Sequence, residues 1–335
     1  MKELIKVNRK IEHLKQSMEL PVIMAPMFLI NDARMVINTC SSGIMGTFPA
    51  LNARTNTILE EWMQQINGEL DRLKRENPER KIGPWGINFI VHKSNKRYKE
   101  DLKLIEKYQP PVVITSLGDP SPVVEVVDKY GGFVFSDVIN IKFAKKAIEK
   151  GADGLVLVAN GAGGHAGTFN PFSFIHEIRE FFDGPIALSG GMTTGEDILA
   201  SEVLGADFAY VGTRFIPTKE SMAPQGYKNM IVESSIEDII YTDAFSGVNA
   251  NYLIPSIENA GLDPNNLHKK KEVNFSELRN KEVKAWKDVW GAGQGVGSIS
   301  EVQTVKEIVD ELKGAYDKSK ERIKRGEFIT HGTKE

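Results

Sequence analysis

The sequence predicts an α/β protein of the (β/α)8 barrel class, with a smaller region after the barrel. Short apolar runs alternate with amphipathic stretches over about 220 residues, which suits one parallel α/β barrel. These runs are apolar throughout, as is typical of parallel strands buried on both faces. In addition, Lys150–Gly154 and Leu204–Phe208 look like one repeated unit, because each combines a helix end, a short loop and the start of a strand.

The predicted strands are short apolar runs bounded by glycine, proline or polar residues. They are, in chain order, Pro21–Met27, Gly43–Phe48, Ile82–Val91, Pro111–Ser116, Gly132–Asp137, Gly154–Ala159, Pro185–Gly191 and Asp207–Thr213.

The predicted helices lie between these strands and show standard start and stop signals. Asp32 lies near the start of the first helix, Gly43 follows its end, and Pro122 is tolerated in a first turn. The helices are Asn31–Ser42, Thr57–Glu76, Lys99–Tyr108, Ser121–Tyr130, Asn140–Lys150, Pro171–Phe182 and Thr194–Leu204.

A doubly wound open sheet is the alternative fold, because periodicity alone cannot separate it from a closed barrel. The repeated unit favours the barrel. The predicted domains are a barrel over residues 1–225 and a mostly helical cap region with a C-terminal helix over residues 226–335. Within the cap region we expect helices at Lys228–Ile240, Asn274–Trp290 and Val302–Ile323, and a loop at Thr242–Leu267.

Composition limits the possible partners and the compartment. A formal net charge of -3 argues against nucleic acid or an anionic membrane surface as the main partner. A single cysteine, Cys40, excludes an internal disulfide framework and fits a reducing cytoplasm. The start of the chain is charged and lacks an apolar signal core, and no apolar run reaches the length of a membrane helix. We therefore expect a soluble cytoplasmic protein.

The loops after the last two predicted strands carry Gly190-Gly191 and Gly212-Thr213. Loops at these positions of a barrel often bind phosphate through backbone N–H groups, and glycine allows the close approach. Two ordinary tight turns are the simpler alternative. Arg214 could pair with the phosphate or could form a salt bridge at the rim.

The sixth predicted strand runs into a glycine-rich loop that contains His165. Histidine exchanges a proton near neutral pH, so His165 is the candidate acid–base group. Its surroundings lack the GxSxG setting of a hydrolase, and no Walker, HExxH or CxxC motif occurs. The glycine spacing after this strand does not fit a dinucleotide-binding GxGxxG motif. A surface histidine in a structural turn is the alternative.

A barrel with a phosphate site and no metal ligands points to a phosphorylated substrate or cofactor. Ala25, Pro26 and Met27 would place apolar surface and backbone at the barrel mouth, and Asn88 would offer an amide to a heteroaromatic ring. A flat ring that needs both fits flavin mononucleotide (FMN) better than a sugar phosphate.

In five of its segments, the sequence resembles the nitronate monooxygenases, formerly called 2-nitropropane dioxygenases. The resemblance covers about residues 20–217 and continues more weakly to the loop at 292–294. The segments that carry it are Ala25-Pro26-Met27, Gly86-Ile87-Asn88-Phe89, Ala162-Gly163-Gly164-His165-Ala166-Gly167, Ser189-Gly190-Gly191-Met192 and Gly212-Thr213-Arg214-Phe215.

The resemblance implies an FMN-dependent oxidation of alkyl nitronates by O2 to a carbonyl compound and nitrite. It places His165 over the reactive face of the flavin, to remove the α-proton of a nitroalkane or to hydrogen-bond its nitro group. It leaves a homodimer open as the assembly. The implied cofactor-binding residues are Ala25, Pro26, Met27, Asn88, Asp137, Gly163, Gly164, Gly190, Gly191, Gly212, Thr213 and Gln294.

Two positions depart from the family pattern. Asp137 stands where many relatives carry lysine, histidine or threonine; it either faces the flavin or caps the helix that starts near Asn140, and the cap is preferred. Asn160-Gly161 replaces an acidic residue before the histidine loop.

An NAD(P)H-dependent FMN reductase that acts on a quinone or an enoyl thioester is the alternative enzyme on the same scaffold. A flavin- or phosphate-binding protein without turnover is the non-catalytic alternative. For Trp286 and Trp290, core packing is preferred over ligand stacking, and His92 is expected in a solvated loop.

Overall fold

The computed structural model describes residues 11–267 and 286–327. Eight parallel strands close into a barrel: β1 (Val22–Met24), β2 (Met45–Pro49), β3 (Trp85–Ile90), β4 (Val112–Ser116), β5 (Phe133–Val138), β6 (Gly154–Val158), β8 (Ile186–Ser189) and β9 (Phe208–Val211). Neighbours in this order are paired, and β9 pairs with β1 to complete the circle. The predicted barrel is therefore confirmed and the open sheet is wrong.

Seven helices alternate with these strands: α1 (Ala33–Ser41), α2 (Asn56–Glu76), α3 (Tyr98–Tyr108), α4 (Ser121–Val127), α5 (Ile141–Glu149), α6 (Pro171–Arg179) and α7 (Gly195–Val203). Several begin where the sequence supplies an N-terminal cap. Asp32 accepts from the Met35 amide at the start of α1, and Thr194 with Asp197 forms a capping box at the start of α7.

Packed side chains fill the barrel interior, as expected for this fold. Phe133, Phe135 and Phe208 form its aromatic part, with Ile23 and Val156 among the aliphatic residues around them. Further apolar clusters lie between the strands and the outer helices. Because these side chains fill the interior of the barrel, a ligand must bind at a mouth of the barrel and not inside it.

A second sheet is the main feature that the sequence did not predict. It is antiparallel and consists of β7 (Gly164–His165), β10 (Ile239–Thr242) and β11 (Ala250–Leu253), with β11 in the middle. The expected loop at Thr242–Leu267 is therefore wrong, since it contains β11 and α9 (Ile254–Asn259). The strand segments are too short for their periodicity to separate them from loop.

The last described helix, α10 (Val305–Lys324), packs along α7 on the outside of the barrel. Gly195 permits this contact, because a Cβ atom there would collide with the backbone of Leu312 and Tyr316. The first helix after the barrel, α8 (Gln225–Glu233), ends earlier than predicted because Ile239 and Ile240 belong to β10. The domain boundary near residue 225 stays a prediction.

The predicted helix Asn274–Trp290 lies mostly outside the described residues. Its described end, residues 286–290, is a turn followed by a bridge to Tyr252, so the helix is wrong there. Within 11–267 and 286–327, no helix is long and apolar enough to cross a membrane.

Candidate active site

A cavity of about 930 Å³ opens at the C-terminal ends of the barrel strands. This volume is near the upper end for small-molecule sites and leaves room for a cofactor together with a substrate. Of the residues predicted from the sequence, the cavity is lined by Ala25, Pro26, Met27, Asn88, Asp137, Gly163, Gly164, His165, Gly190, Gly191, Gly212 and Thr213. Gln294 does not line it.

Two asparagines hold the loop after β1 in place. The buried Asn31 accepts from the Met27 amide at 2.9 Å and donates to the carbonyl oxygen of Ala25 at 3.2 Å. Asn52 donates to the Met27 carbonyl oxygen at 3.0 Å and accepts from the Leu29 amide. The side-chain amides of Asn31 and Asn52 thus satisfy backbone groups of this loop that pair with no strand. These hydrogen bonds fix the position of the apolar Ala25-Pro26-Met27 wall.

Of the glycines after β8 and β9, Gly191 and Gly212 leave open space on the cavity wall, whereas a Cβ atom on Gly190 would lie 2.6 Å from the Asn160 carbonyl oxygen. Gly190 and Gly191 have φ angles of 135° and 71°, which glycine adopts without strain. A Cβ atom on Gly212 would meet only the Ala25 and Met27 side chains, at 3.6 and 3.7 Å. Thr213 Oγ1 accepts from the Gly293 amide at 2.8 Å, so its own hydrogen remains available to a ligand.

Backbone pairing with the C-terminal region positions the histidine loop. His165 lies opposite Ala250 in the β7–β11 ladder. Asn251 donates to the carbonyl oxygen of Ala162 at 2.6 Å, and the Tyr241 hydroxyl donates to that of Ala166 at 2.8 Å. The region after the barrel therefore holds His165 at the cavity.

Gly163 of this loop and Gly293 of the C-terminal region allow their two backbones to pack closely. A Cβ atom on Gly163 would lie 2.9 Å from the Gly293 nitrogen, and one on Gly293 would lie 3.0 Å from the Gly163 nitrogen. Each glycine is thus required by the other. The Gln294 amide donates to the Gly161 carbonyl oxygen at 2.9 Å, and the exposed side chain of Gln294 lies against Gly161, with Oε1 3.0 Å from where a Cβ atom on Gly161 would stand.

His165 contacts a hydroxyl and an aromatic ring. Its Nε2 atom lies 3.0 Å from Ser246 Oγ, and its ring packs edge-to-face on Trp286, with the centroids 5.4 Å apart. Burial lowers the pKa of His165 to about 4, so the imidazole is neutral at neutral pH.

The hydrogen bonds of Ser246 determine the tautomer of the His165 imidazole. The Ser246 hydroxyl donates to the Val248 carbonyl oxygen at 2.9 Å, and a hydroxyl has only one hydrogen. The contact with His165 then requires Nε2 to be the donor. The basic lone pair of the ring therefore lies on Nδ1.

A second polar group lies on the adjoining strands β3, β4 and β5. Asn88 Nδ2 donates to the Ile114 carbonyl oxygen at 3.1 Å and to Ser116 Oγ at 2.7 Å. The Ser116 hydroxyl donates in turn to Asp137 Oδ2. Both amide hydrogens of Asn88 are used within the wall, so the carbonyl oxygen is what its side chain can offer to a ligand.

The preferred helix-cap interpretation of Asp137 is wrong. Asn140 caps α5, with its side chain accepting from the Phe143 amide at 2.8 Å. Asp137 lies on the cavity wall, where its Oδ1 atom is buried without a hydrogen-bond partner among the described residues. Burial raises the pKa of this carboxyl to about 6, although the bond from Ser116 acts in the opposite direction.

Arg214 is a structural residue. Its buried guanidinium donates to Gln303 Oε1 at 2.7 Å and to Glu311 Oε2 at 2.6 Å, which links the loop after β9 to α10. Of its two open interpretations, the salt bridge is therefore the one observed. Trp290 stacks on Tyr227, with the centroids 4.9 Å apart, whereas Trp286 both stacks on Tyr252 and lines the cavity.

Sequence reasoning missed Ser246 as part of the site, preferred core packing for Trp286 and assigned no site role to Ser116. Ser116 ends the fourth predicted strand, but the strand-end rule alone does not show that its hydroxyl contacts Asp137. Ser246 and Trp286 lie 81 and 121 positions from His165, counted from the residue numbers, and no sequence spacing links them.

Taken together, the fold and the site define a barrel enzyme with a glycine-lined ligand cavity and a neutral histidine on its wall. A sequence profile described as nitronate monooxygenase matches residues 85–314. The chain therefore belongs to the nitronate monooxygenase family, whose members are flavin-dependent oxidoreductases, and it is an enzyme of that class.

Curated relatives agree with this assignment. A protein of Staphylococcus haemolyticus named probable nitronate monooxygenase is 27% identical over an alignment of 286 residues, and the match covers 71% of this chain and 76% of that protein. A Rhodococcus jostii protein is 24% identical over 245 residues, 72% of this chain and 65% of that protein. Its name is (3aS,4S,5R,7aS)-5-hydroxy-7a-methyl-1-oxo-octahydro-1H-indene-4-carboxyl-CoA dehydrogenase.

Solved structures agree in fold. The nitroalkane oxidase of Streptomyces ansochromogenes superposes with a TM-score of 0.76 at 21% identity, covering 92% of this chain and 99% of that one. FabK of Thermotoga maritima superposes with a TM-score of 0.74 at 21% identity, covering 95% and 98%.

Proposed function

We propose that the protein is an FMN-dependent nitronate monooxygenase that oxidises alkyl nitronates with O2 to a carbonyl compound and nitrite. The observation that carries this proposal is a neutral His165 on the wall of a cavity that the glycines after β8 and β9 also line. The curated relatives named probable nitronate monooxygenase support the same reaction.

The residues present fit FMN. Backbone N–H groups at Gly190, Gly191 and Gly212, with the spare hydroxyl hydrogen of Thr213, would hold a phosphate. The Ala25-Pro26-Met27 wall offers apolar surface for a flat ring. The Asn88 carbonyl oxygen and the Ser116–Asp137 pair offer polar groups to the ring edge. Bound FMN would supply the electron-transfer and O2 chemistry.

His165 would act as a base toward a neutral nitroalkane. A neutral imidazole can accept the α-proton, whereas an imidazolium cannot. A substrate that arrives as the nitronate has already lost this proton, so His165 would then only orient it. Trp286 and the Ala25-Pro26-Met27 wall restrict water around the reacting carbon.

The test is anaerobic mixing of the purified protein with propionate 3-nitronate, NADH and NADPH in separate experiments, while the flavin absorbance is followed. We expect bleaching by the nitronate and not by the reduced nicotinamides. Fast bleaching by NADH or NADPH contradicts the proposal, and a protein that binds no flavin contradicts both enzyme candidates.

An NAD(P)H-dependent reductase that acts on a quinone or an enoyl thioester is the second candidate. The name of the Rhodococcus relative, a dehydrogenase of a CoA thioester, favours it. The same mixing experiment separates the two candidates, because a reductase requires the nicotinamide to bleach the flavin.

A further inference from the structure

We propose that Asp137 takes up a proton when the flavin ring binds, and that this proton turns the Ser116 hydroxyl into a hydrogen-bond donor toward the ring. The inference rests on the proposed FMN site. It concerns the protonation state of a carboxyl at the proposed ring edge, which neither the family assignment nor the proposed reaction decides.

The hydrogen bonds in the wall run in one direction. Asn88 Nδ2 donates to Ser116 Oγ at 2.7 Å, and its other hydrogen goes to Ile114. Because a carbonyl oxygen can only accept, the contact with Ile114 also fixes which end of the Asn88 amide is the donor. Ser116 consequently accepts from Asn88. In this series of hydrogen bonds, only the direction of the Ser116 hydroxyl hydrogen can change.

The protonation state of Asp137 decides where that hydrogen points. A carboxylate can only accept, so the Ser116 hydroxyl must then donate to Asp137 Oδ2. A carboxylic acid can donate to Ser116 Oγ instead. The Ser116 hydrogen is then released toward the cavity, which Ser116 lines together with Asn88 and Asp137.

The wall is poorly built for a permanent carboxylate. Within residues 11–267 and 286–327, Oδ1 of Asp137 is buried without a hydrogen-bond partner, although an ionised carboxylate accepts about four hydrogen bonds in water. Burial disfavours the ionised form and raises the pKa of Asp137 to about 6, well above that of an exposed aspartate. A ring that covers the wall removes more water and raises this pKa further.

No cation on the neighbouring strands offsets the charge among the described residues that face Asp137. Asn88 and Ser116 come from β3 and β4, Val156 of β6 lies opposite Asp137 in the ladder, and Tyr210 of β9 is the titratable neighbour. Burial and the charge of Asp137 raise the Tyr210 pKa well above its usual value, so this phenol stays neutral. The charged residues elsewhere on the cavity wall are Arg54, Arg97, Asp119, Lys146 and Lys150.

The reactions balance without a co-reactant. Free protein with Asp137 as carboxylate, FMN and one proton from solvent give the complex with Asp137 as carboxylic acid. FMN affinity must therefore fall as pH rises above the Asp137 pKa of the free protein.

The experiment measures the FMN dissociation constant of the apoprotein by fluorescence quenching between about pH 5 and pH 8, for the wild type and D137N. The side-chain amide in D137N keeps a donor toward Ser116 but cannot ionise. The phosphate of FMN titrates near pH 6 in both proteins, so the ratio of the two constants isolates Asp137. We expect this ratio, wild type over D137N, to rise above about pH 6 by up to tenfold per pH unit.

A ratio that stays flat, or that falls with pH, overturns the inference while leaving the FMN site intact. Failure of both proteins to bind FMN at any pH overturns the FMN site and the inference together. As a second readout, infrared difference spectra of the FMN complex at neutral pH should show a carboxylic acid carbonyl band that D137N lacks. Absence of that band in the wild type also overturns the inference.

S116A tests the donor itself. If the Ser116 hydrogen points to the ring only when Asp137 is protonated, S116A weakens FMN binding more at pH 5 than at pH 8. An equal effect at both pH values would contradict this route.

Discussion

Nε2 of His165 lies 3.0 Å from the hydroxyl oxygen of Ser246, a residue on the loop between β10 and β11. This contact joins the candidate base of the barrel to a segment outside it. It also sets the tautomer, because Ser246 gives its own hydrogen to Val248. The region after the barrel therefore contributes to the proposed chemistry in two ways. It positions the His165 ring, and it lines the cavity through Trp286.

Loss of the Ser246 hydroxyl should affect proton removal more than oxidation. S246A frees the imidazole to change tautomer, and we expect kcat/KM for a neutral nitroalkane to fall about tenfold. The value for the preformed nitronate should change much less, since it needs no proton removal. S246T keeps the hydroxyl and should recover most of the loss. Equal losses for both substrate forms would make Ser246 a general structural residue.

His165 itself should matter for turnover and not for the cofactor. H165A is expected to retain FMN while kcat/KM for a neutral nitroalkane falls about 10²- to 10⁴-fold. H176A is a matched control, because His176 is exposed on α6 on the outside of the barrel. Loss of FMN from H165A would identify His165 as a structural residue instead.

The pH dependence of proton removal follows from the lowered pKa of His165. The base must be neutral, and with a pKa of about 4 it remains neutral down to mildly acidic pH. In FMN-saturated enzyme, kcat for a neutral nitroalkane should therefore show no acidic limb near pH 6.5, where an ordinary histidine titrates. Steady-state rates measured with saturating FMN check this, and a limb at pH 6.5 would show that the imidazole is not desolvated.

Gly212→Ala is a clean probe of the cavity. The φ angle of Gly212 is −109°, which alanine adopts readily, and the added methyl group meets no atom closer than 3.6 Å. Stability should hence change by less than about 0.5 kcal/mol, as for other substitutions without a clash. Because the methyl group occupies ligand space, we expect FMN to bind about tenfold or more weakly. Thermal melting and FMN titration measure the two quantities, and unchanged affinity would exclude phosphate or ring contact there.

The raised pKa of Asp137 predicts how D137N changes stability with pH in the apoprotein. The pKa of Asp137 is about 6 in the folded protein against 3.8 for an unperturbed aspartate, so ionisation opposes folding. This contribution of Asp137 is fully favourable below pH 3.8 and is lost as pH rises through 6. D137N should therefore gain stability relative to the wild type over that window, by up to about 3 kcal/mol. Urea unfolding at pH 4.5 and 7.5 tests this, and a constant difference would contradict it.

Arg214 should matter for stability rather than for the cofactor. R214A leaves Gln303 and Glu311 without their shared donor and should cost about 1–3 kcal/mol in unfolding free energy. The exposed pair Lys306–Asp310 lies on the same helix, so K306A is the control, with an expected change below about 0.5 kcal/mol. A large loss of FMN affinity in a stably folded R214A would restore the phosphate interpretation.

Much of the site could be predicted because its residues lie at strand ends. Ala25, Asn88, Gly190 and Gly212 each follow or end a barrel strand, and parallel strands bring such positions to one end of the barrel. Asp137 was placed by the same rule but assigned a cap, since the sequence cannot show that Asn140 fills that role.

The sequence by itself determined the strands and helices of the barrel region, through local signals: apolar runs for the strands, amphipathic helices with caps, and glycine at helix ends. It favoured a barrel over an open sheet, and the pairing of β9 with β1 in the tertiary structure decided between them. It also determined the family, because motifs at successive strand ends occur in the right order. Only the tertiary structure decided the state of His165 and Asp137. Tautomer and pKa depend on burial and on partners such as Ser246 and Ser116, which folding brings from distant positions in the chain. The second sheet also could not be predicted from the sequence. Its strands β7 and β11 are too short to be recognised separately, and they become strands only by pairing with each other.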